Sequence, residues 1–231
     1  MLGREPGFAV KVLRPSDTSQ VTPPGQGQLL IPLRGSVFVE ERSGNSTKVT
    51  QTDRRDRSSK LRQGQLWKVA NDAQWSVRAT SEDCVLLQVS TSVPRQESRV
   101  DDLLVAAKTR FHMSPRRVFG NEVLRVETSV GRSALPGVGW VWWDHTSEGS
   151  EYAVILDGIW RARLRGAHDE WSGPLSAGTM LAIPPGVAHN FAARTMLRPS
   201  VGLILTSLRR VPKGEVTRES VQGFSPFVDR G

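Results

Sequence analysis

The chain has 231 residues, one cysteine, four histidines and a formal net charge of +8. A lone cysteine excludes an intramolecular disulfide, and a chain of this length buries enough apolar surface to fold without one. No stretch approaches the roughly 18 apolar residues of a membrane span, and no apolar run follows the start "MLGREPGFAVKVLRP", so a soluble, cytoplasmic protein is expected.

In chain order, short runs rich in Val, Ile, Leu, Trp and Thr are punctuated by Gly, Pro, Ser and Asp. That rhythm predicts an all-β sandwich or barrel. The first strands fall in "QLLIPLRGSVFVEE", "GQLWKVAND" and "CVLLQVSTS", where Cys84 reads as a small buried residue. Between the first two lies a polar insert holding the densest basic run, "TDRRDRSSKLR" (52–62). Acids are interleaved there and no aromatic is present to stack on a base, so it predicts a solvated loop rather than a nucleic-acid interface. "RVDDLLVAAKTRF" (99–111) predicts a helix, capped by Asp101 or Asp102, with Leu103, Leu104, Ala107 and Phe111 on one face. Strands resume with "VLRVETSV", "GWVWWDH", "EYAVILDGIWRARL", "TMLAIPPG" and "VGLILTSL".

The two sides of the helix repeat one another. Glu151 is followed by Gly158, Gly178, Pro184 and His189; Gln28 is followed by Gly35, Gly64, Ala70 and Trp75. Glu151 to Gly158 matches Gln28 to Gly35, and Gly178 to His189 matches Gly64 to Trp75, while the connection between the blocks is nine residues longer in the first copy. Both copies close on an apolar strand ending in Thr-Ser.

In the second copy, His145 and Glu151 flank a Ser-Glu-Gly-Ser turn, and His189 follows the tight turn of Pro184, Pro185 and Gly186. Two imidazoles and a carboxylate make a donor set suited to Fe(II), Mn(II) or Zn(II). These motifs resemble those of the cupins. The family's second motif reads Gly178, Pro184, Gly186, His189; its first reads His145, Thr146, Ser147, Glu151, Gly158, with Ser147 where a second histidine is usual. The repeat extends the likeness to bicupins over roughly residues 20–208.

The resemblance implies two tandem jelly-roll β-barrel units: residues 1–98 without metal ligands, a linking helix at 99–112, and residues 113–231 with a metal site at His145, Glu151 and His189. Strand alternation places Trp143 on the face of His145, and Trp143, Ser147, Tyr152 and Phe191 are the candidate pocket residues. Asp144 orients a histidine ring, supplies a different carboxylate or is an exposed turn acid. Arg161 and Arg163 meet an anionic substrate or face solvent, with solvent favoured. His112 and His168 have no ligand partners at recognisable spacing.

The expected function is a metal-dependent enzyme acting on a small organic molecule, with Fe(II) and oxygenation preferred. The alternatives are a non-oxidative Zn or Mn isomerase, cyclase or lyase, and a non-catalytic binding or sensor cupin. Pairing into a homodimer is a further expectation from the resemblance; no nucleic-acid or membrane partner is expected.

Overall fold

The computed structural model describes residues 3–5, 7–14, 17–21, 26–42, 57–69, 71, 73–92, 99–108, 116–131, 144–166, 169–193 and 200–208. Trp143, with Trp140, Trp142, His112, His168 and Ala70, lies outside them. The chain divides into two compact units, 1–103 and 104–231. Among the described residues no helix is long and apolar enough to cross a membrane.

The N-terminal unit contains β1 (Gly3–Glu5), β2 (Phe8–Leu13), β3 (Asp17–Val21), β4 (Gln26–Arg34), β5 (Ser36–Arg42), β6 (Arg57–Arg62), β7 (Gln65–Val69), β8 (Gln74–Ala79), β9 (Val85–Ser92) and β10 (Arg99–Asp102). They form an antiparallel six-stranded sheet, in the order β1-β2-β9-β4-β7-β10, and a four-stranded sheet, β3-β8-β5-β6. Period-two alternation turns Leu30, Val37, Val39, Trp67, Val69, Trp75, Val77 and Leu86 into one core.

A short helix, α1 (Leu103–Lys108), precedes the C-terminal strands β11 (Arg116–Gly120), β12 (Leu124–Gly131), β13 (Glu151–Asp157), β14 (Ile159–Arg165), β15 (Glu170–Ser176), β16 (Met180–Ile183), β17 (Ala188–Ala193) and β18 (Ser200–Ser207). Here the sheets run β11-β12-β18-β13-β16 and β15-β14-β17. Ala153 and Ile155 from β13 pack with Trp160, Ala162 and Leu164 from β14, and with Leu175, Leu181, Ile183 and Val187. Every second residue of β14 is buried, so Arg161, Arg163 and Arg165 line the opposite, outer face.

The internal repeat is visible in register. Gln28 pairs across to Val69 and Ser90, as Glu151 does to Ile183 and Thr206. Register shifts fall between Pro32 and Arg34 and between Ile155 and Asp157, the same place in both copies. The glycine amides of Gly64 and Gly178 donate to Pro32 and Ile155, again equivalent positions. One sequence alignment is corrected: the shared Thr-Ser endings are offset by one residue, because Thr206 is matched by Ser90 and not by Thr91.

The helix expected over 99–111 is shorter than its periodicity predicts. Arg99–Asp102 instead form β10, pairing with Lys68 to Gln65 on the open edge of β7. Asp101 takes Lys68 Nζ at 2.9 Å and Arg99 Nε at 2.6 Å, and the Leu103 amide donates to Gly64 O at 3.0 Å. An available sheet edge satisfies these backbone groups as fully as a helical turn would, and tertiary pairing decides between them. Residues 99–103 therefore belong to the N-terminal unit, whose boundary lies beyond the expected 98.

Candidate metal centre

The turn between β16 and β17 aims His189. The amide of Val187 donates to Pro184 O at 3.4 Å, and Gly186 sits at φ 76°. Pro185 with a positive-φ glycine after it is the sequence a type II turn demands. Nothing lies within 4 Å of a Cβ built on Gly186, so the glycine is required by its backbone angle and not by crowding. Leaving this turn, Val187 enters the apolar core, and two residues on His189 faces the same interior, 1% exposed.

Glu151 opens β13 and alternates into that interior ahead of Ala153 and Ile155; it is also buried. His145 joins from the other side through two main-chain bonds with His189, N to O at 3.0 Å and O to N at 2.9 Å. Their rings lie 4.0 Å apart at 59°. His145, unlike the other two, is exposed. Ligand atoms of His145, Glu151 and His189 all lie within 4.8 Å of one another.

The polar contacts assign a task to each atom. His189 Nδ1 lies 2.9 Å from Val187 O. A carbonyl only accepts, so Nδ1 carries the hydrogen, and in the neutral ring Nε2 is left with a lone pair. Glu151 Oε2 is 2.7 Å from that Nε2. Close as they are, Nε2 has no partner among the described residues that meets hydrogen-bond geometry. Two buried acceptors thus converge on a point beside both of them. The other carboxylate oxygen, Oε1, accepts the Thr206 hydroxyl at 3.1 Å.

Burial pushes the Glu151 carboxyl up, but His189, the Thr206 hydroxyl and His145 outweigh it and hold it below its ordinary value. For His145 the partial desolvation of its ring comes first and the neighbouring His189 adds to it, lowering the imidazole against the pull of Glu151 and Asp144. Both shifts favour the deprotonated forms that bind metal.

Asp144 is neither a ring orienter nor a free turn acid. Its carboxylate pairs with Arg163 at 2.5 Å and with Arg165 at 3.2 Å, both on the outer face of β14. The Arg163 hydrogen bond is the largest influence on it, and with Arg165 and Asn190 it holds the carboxyl below its usual range. Arg163 and Arg165 are thus engaged with Asp144, Arg161 Nε donates to Ser172 Oγ at 3.2 Å, and all three stand across β14 from the core that faces His189.

Of the expected pocket residues, Phe191 stands 5.8 Å from His189, ring to ring, at 65°. Ser147 meets the site through its backbone, its carbonyl accepting the Gly186 amide at 2.9 Å. Tyr152 follows Glu151 directly, so strand alternation turns it to the far side of β13, where it is buried; it cannot line the same pocket. Trp143 lies outside the described residues. Sequence reasoning missed Thr206 and the Val187 carbonyl. Thr206 had a signal, a hydroxyl residue in the closing strand of both copies, but one hidden by the one-residue offset.

At the equivalent positions of the N-terminal unit, Gln28 replaces Glu151, and Trp75 replaces His189, packing edge-on against Trp67 at 6.3 Å. Gln28 Oε1 accepts from Ser90 Oγ at 2.8 Å and from Gln88 Nε2 at 3.0 Å. An indole fills the space of the imidazole, and an amide replaces the anionic oxygen.

No family model matches the sequence, and no curated protein matches it. Among solved structures, the chain is similar to the Cupin 2 conserved barrel domain protein from Leptotrichia buccalis, with a TM-score of 0.62 at 11% identity, covering 88% of this chain and 85% of that one. It is also similar to protein Ylba from E. coli, described as DUF861, with a TM-score of 0.53 at 13% identity over 91% and 88% of the two chains. These likenesses establish the fold: the chain has the jelly-roll β architecture of the cupins.

Proposed function

We propose that the C-terminal unit holds one divalent metal ion on His189 Nε2, Glu151 Oε2 and His145, and uses it to transform a small organic molecule. Fe(II) is the preferred ion and oxygenation the preferred reaction. The observation that carries this reading is the buried Nε2 of His189, 2.7 Å from a carboxylate oxygen yet without a hydrogen-bond partner among the described residues. A proton between the two atoms would make a hydrogen bond; a cation beside both satisfies each lone pair in its own direction.

Bound there, the ion supplies Lewis acidity or, as iron, dioxygen chemistry. The rest falls to the chain. The Val187 carbonyl fixes the His189 tautomer, and Thr206 fixes the Glu151 carboxylate. Ile183, Val187 and Leu164 keep water from the inner side of the site. His145, the exposed ligand, marks the side from which substrate arrives, and Phe191 offers an aromatic face beside His189.

The test is dioxygen uptake by anaerobically iron-loaded protein, screened against small chelating organic acids and phenols. Uptake that depends on Glu151 and His189 supports the oxygenase reading. A retained zinc or manganese ion with no oxygen uptake transfers the site to non-oxidative chemistry, and retained metal without turnover of any kind leaves a sensor.

A further inference from the structure

The two oxygens of Glu151 have different surroundings. Oε2 lies 2.7 Å from His189 Nε2, and a carboxylate oxygen of Glu151 lies within 4.8 Å of a ring nitrogen of each histidine. Oε1 is held by Thr206, whose hydroxyl donates to it at 3.1 Å from the directly paired position on β18. Thr206 is itself buried, at 4% exposure, so water does not compete for this bond. Its place is specified by strand register, since Glu151 and Thr206 face each other across the ladder.

The same bond exists in the N-terminal unit, where Ser90 donates to Gln28 Oε1 from the equivalent register position. Gln28 carries no charge. A hydroxyl at this position therefore does more than offset a buried anion: in both copies it holds one oxygen of the planar end of the side chain, joined in the N-terminal copy by Gln88 Nε2 at 3.0 Å.

Resting on the metal reading above, we propose that Thr206 is a positioning residue that makes Glu151 a one-oxygen ligand. Its hydroxyl keeps Oε1 turned toward β18 and away from the ion, so that one more coordination position stays open for substrate. A carboxylate free of this bond can offer both oxygens to the same ion, as carboxylates commonly do with hard cations.

The test uses Mn(II) as the probe in the full chain. Titration gives its stoichiometry, and water-proton relaxation reports the exchangeable waters on the bound ion. In Thr206→Val the second carboxylate oxygen takes a position that water held, so inner-sphere relaxation per bound Mn(II) falls by about one third for a six-coordinate ion. Thr206→Ser, which keeps the hydroxyl, matches the wild type. Valine preserves the β-branched shape suited to a strand, and Thr206→Ala gives the same readout if valine does not fold. Equal relaxation in wild type and Thr206→Val, or a serine variant that follows valine, overturns the proposal while leaving the metal site intact. A wild type that takes up no Mn(II) overturns this proposal as stated, and one that also takes up neither Fe(II) nor Zn(II) overturns the metal reading itself.

Discussion

Asp144 and His145 are adjacent in the chain but serve opposite faces of the sheet formed by β15, β14 and β17. His145 bonds through its main chain to His189, while Asp144 reaches Arg163 and Arg165 on the outer face. The exposed histidine is therefore flanked by an ion-paired residue that lies outside the candidate site. Replacing Asp144 by alanine should loosen the segment that carries His145 and lower metal affinity without changing the stoichiometry. Competition with a fluorescent chelator measures it, and unchanged affinity would mean that the main-chain bridge alone holds His145. The convergence of His145, Glu151 and His189 was legible because short motifs set their spacing, two of them on strands and His145 at an isolated bridge. Thr206 and the Val187 carbonyl were not, since one reaches Glu151 from 55 residues away and the other acts through a main-chain atom. Tyr152 shows the reverse error, an aromatic beside a ligand that period-two alternation turns away from it.

At the scale of elements, glycines at positive φ set the turns beside the candidate ligands. Gly158, at φ 80°, follows the strand that carries Glu151, and a Cβ there would collide with Ser200, whose Cα would lie 2.9 Å away. Gly186, at φ 76°, has nothing within 4 Å. Gly158→Ala should therefore lose stability through strain and collision together, about 2–3 kcal/mol, and Gly186→Ala through strain alone, about 1 kcal/mol. Urea midpoints of the two variants test the ordering; equal losses would contradict it. Strands and turns were legible because alternation and turn residues are local signals. The helix over 99–111 was misjudged for the opposite reason: its apolar spacing fits a helix, but the unpaired edge of β7 captures Arg99–Asp102, and no local pattern announces an open edge.

For the whole molecule, duplication explains both the architecture and its asymmetry. The N-terminal copy keeps the register, the bulge and the strand-borne hydroxyl, but Trp75 and Gln28 occupy the positions of the candidate ligands His189 and Glu151. Charge has a different consequence. Asp101, Asp144, Glu151 and His145 all lie below their ordinary values. For Asp101 burial acts upward, and Lys68 and Arg99 outweigh it. Each of the four binds a proton less readily when folded, so the unfolded chain takes up more protons as pH falls and stability declines. In metal-free protein the decline should begin as pH approaches 6.5, the ordinary value for His145, and deepen through the carboxylate range. Urea midpoints between about pH 7.5 and about pH 4.5 should fall steadily, and a flat profile would contradict these shifts.

The central claim is that His145, Glu151 and His189 hold one ion. Its most direct test is elemental analysis of untagged protein purified anaerobically without chelator, compared with His189→Ala and Glu151→Ala. The expected result is about one equivalent of a divalent metal in the wild type, lost in both variants while their far-ultraviolet circular dichroism stays that of a β protein. A wild type that carries no metal and takes up none on reconstitution with Fe(II), Mn(II) or Zn(II), or variants that retain it in full, would contradict the claim.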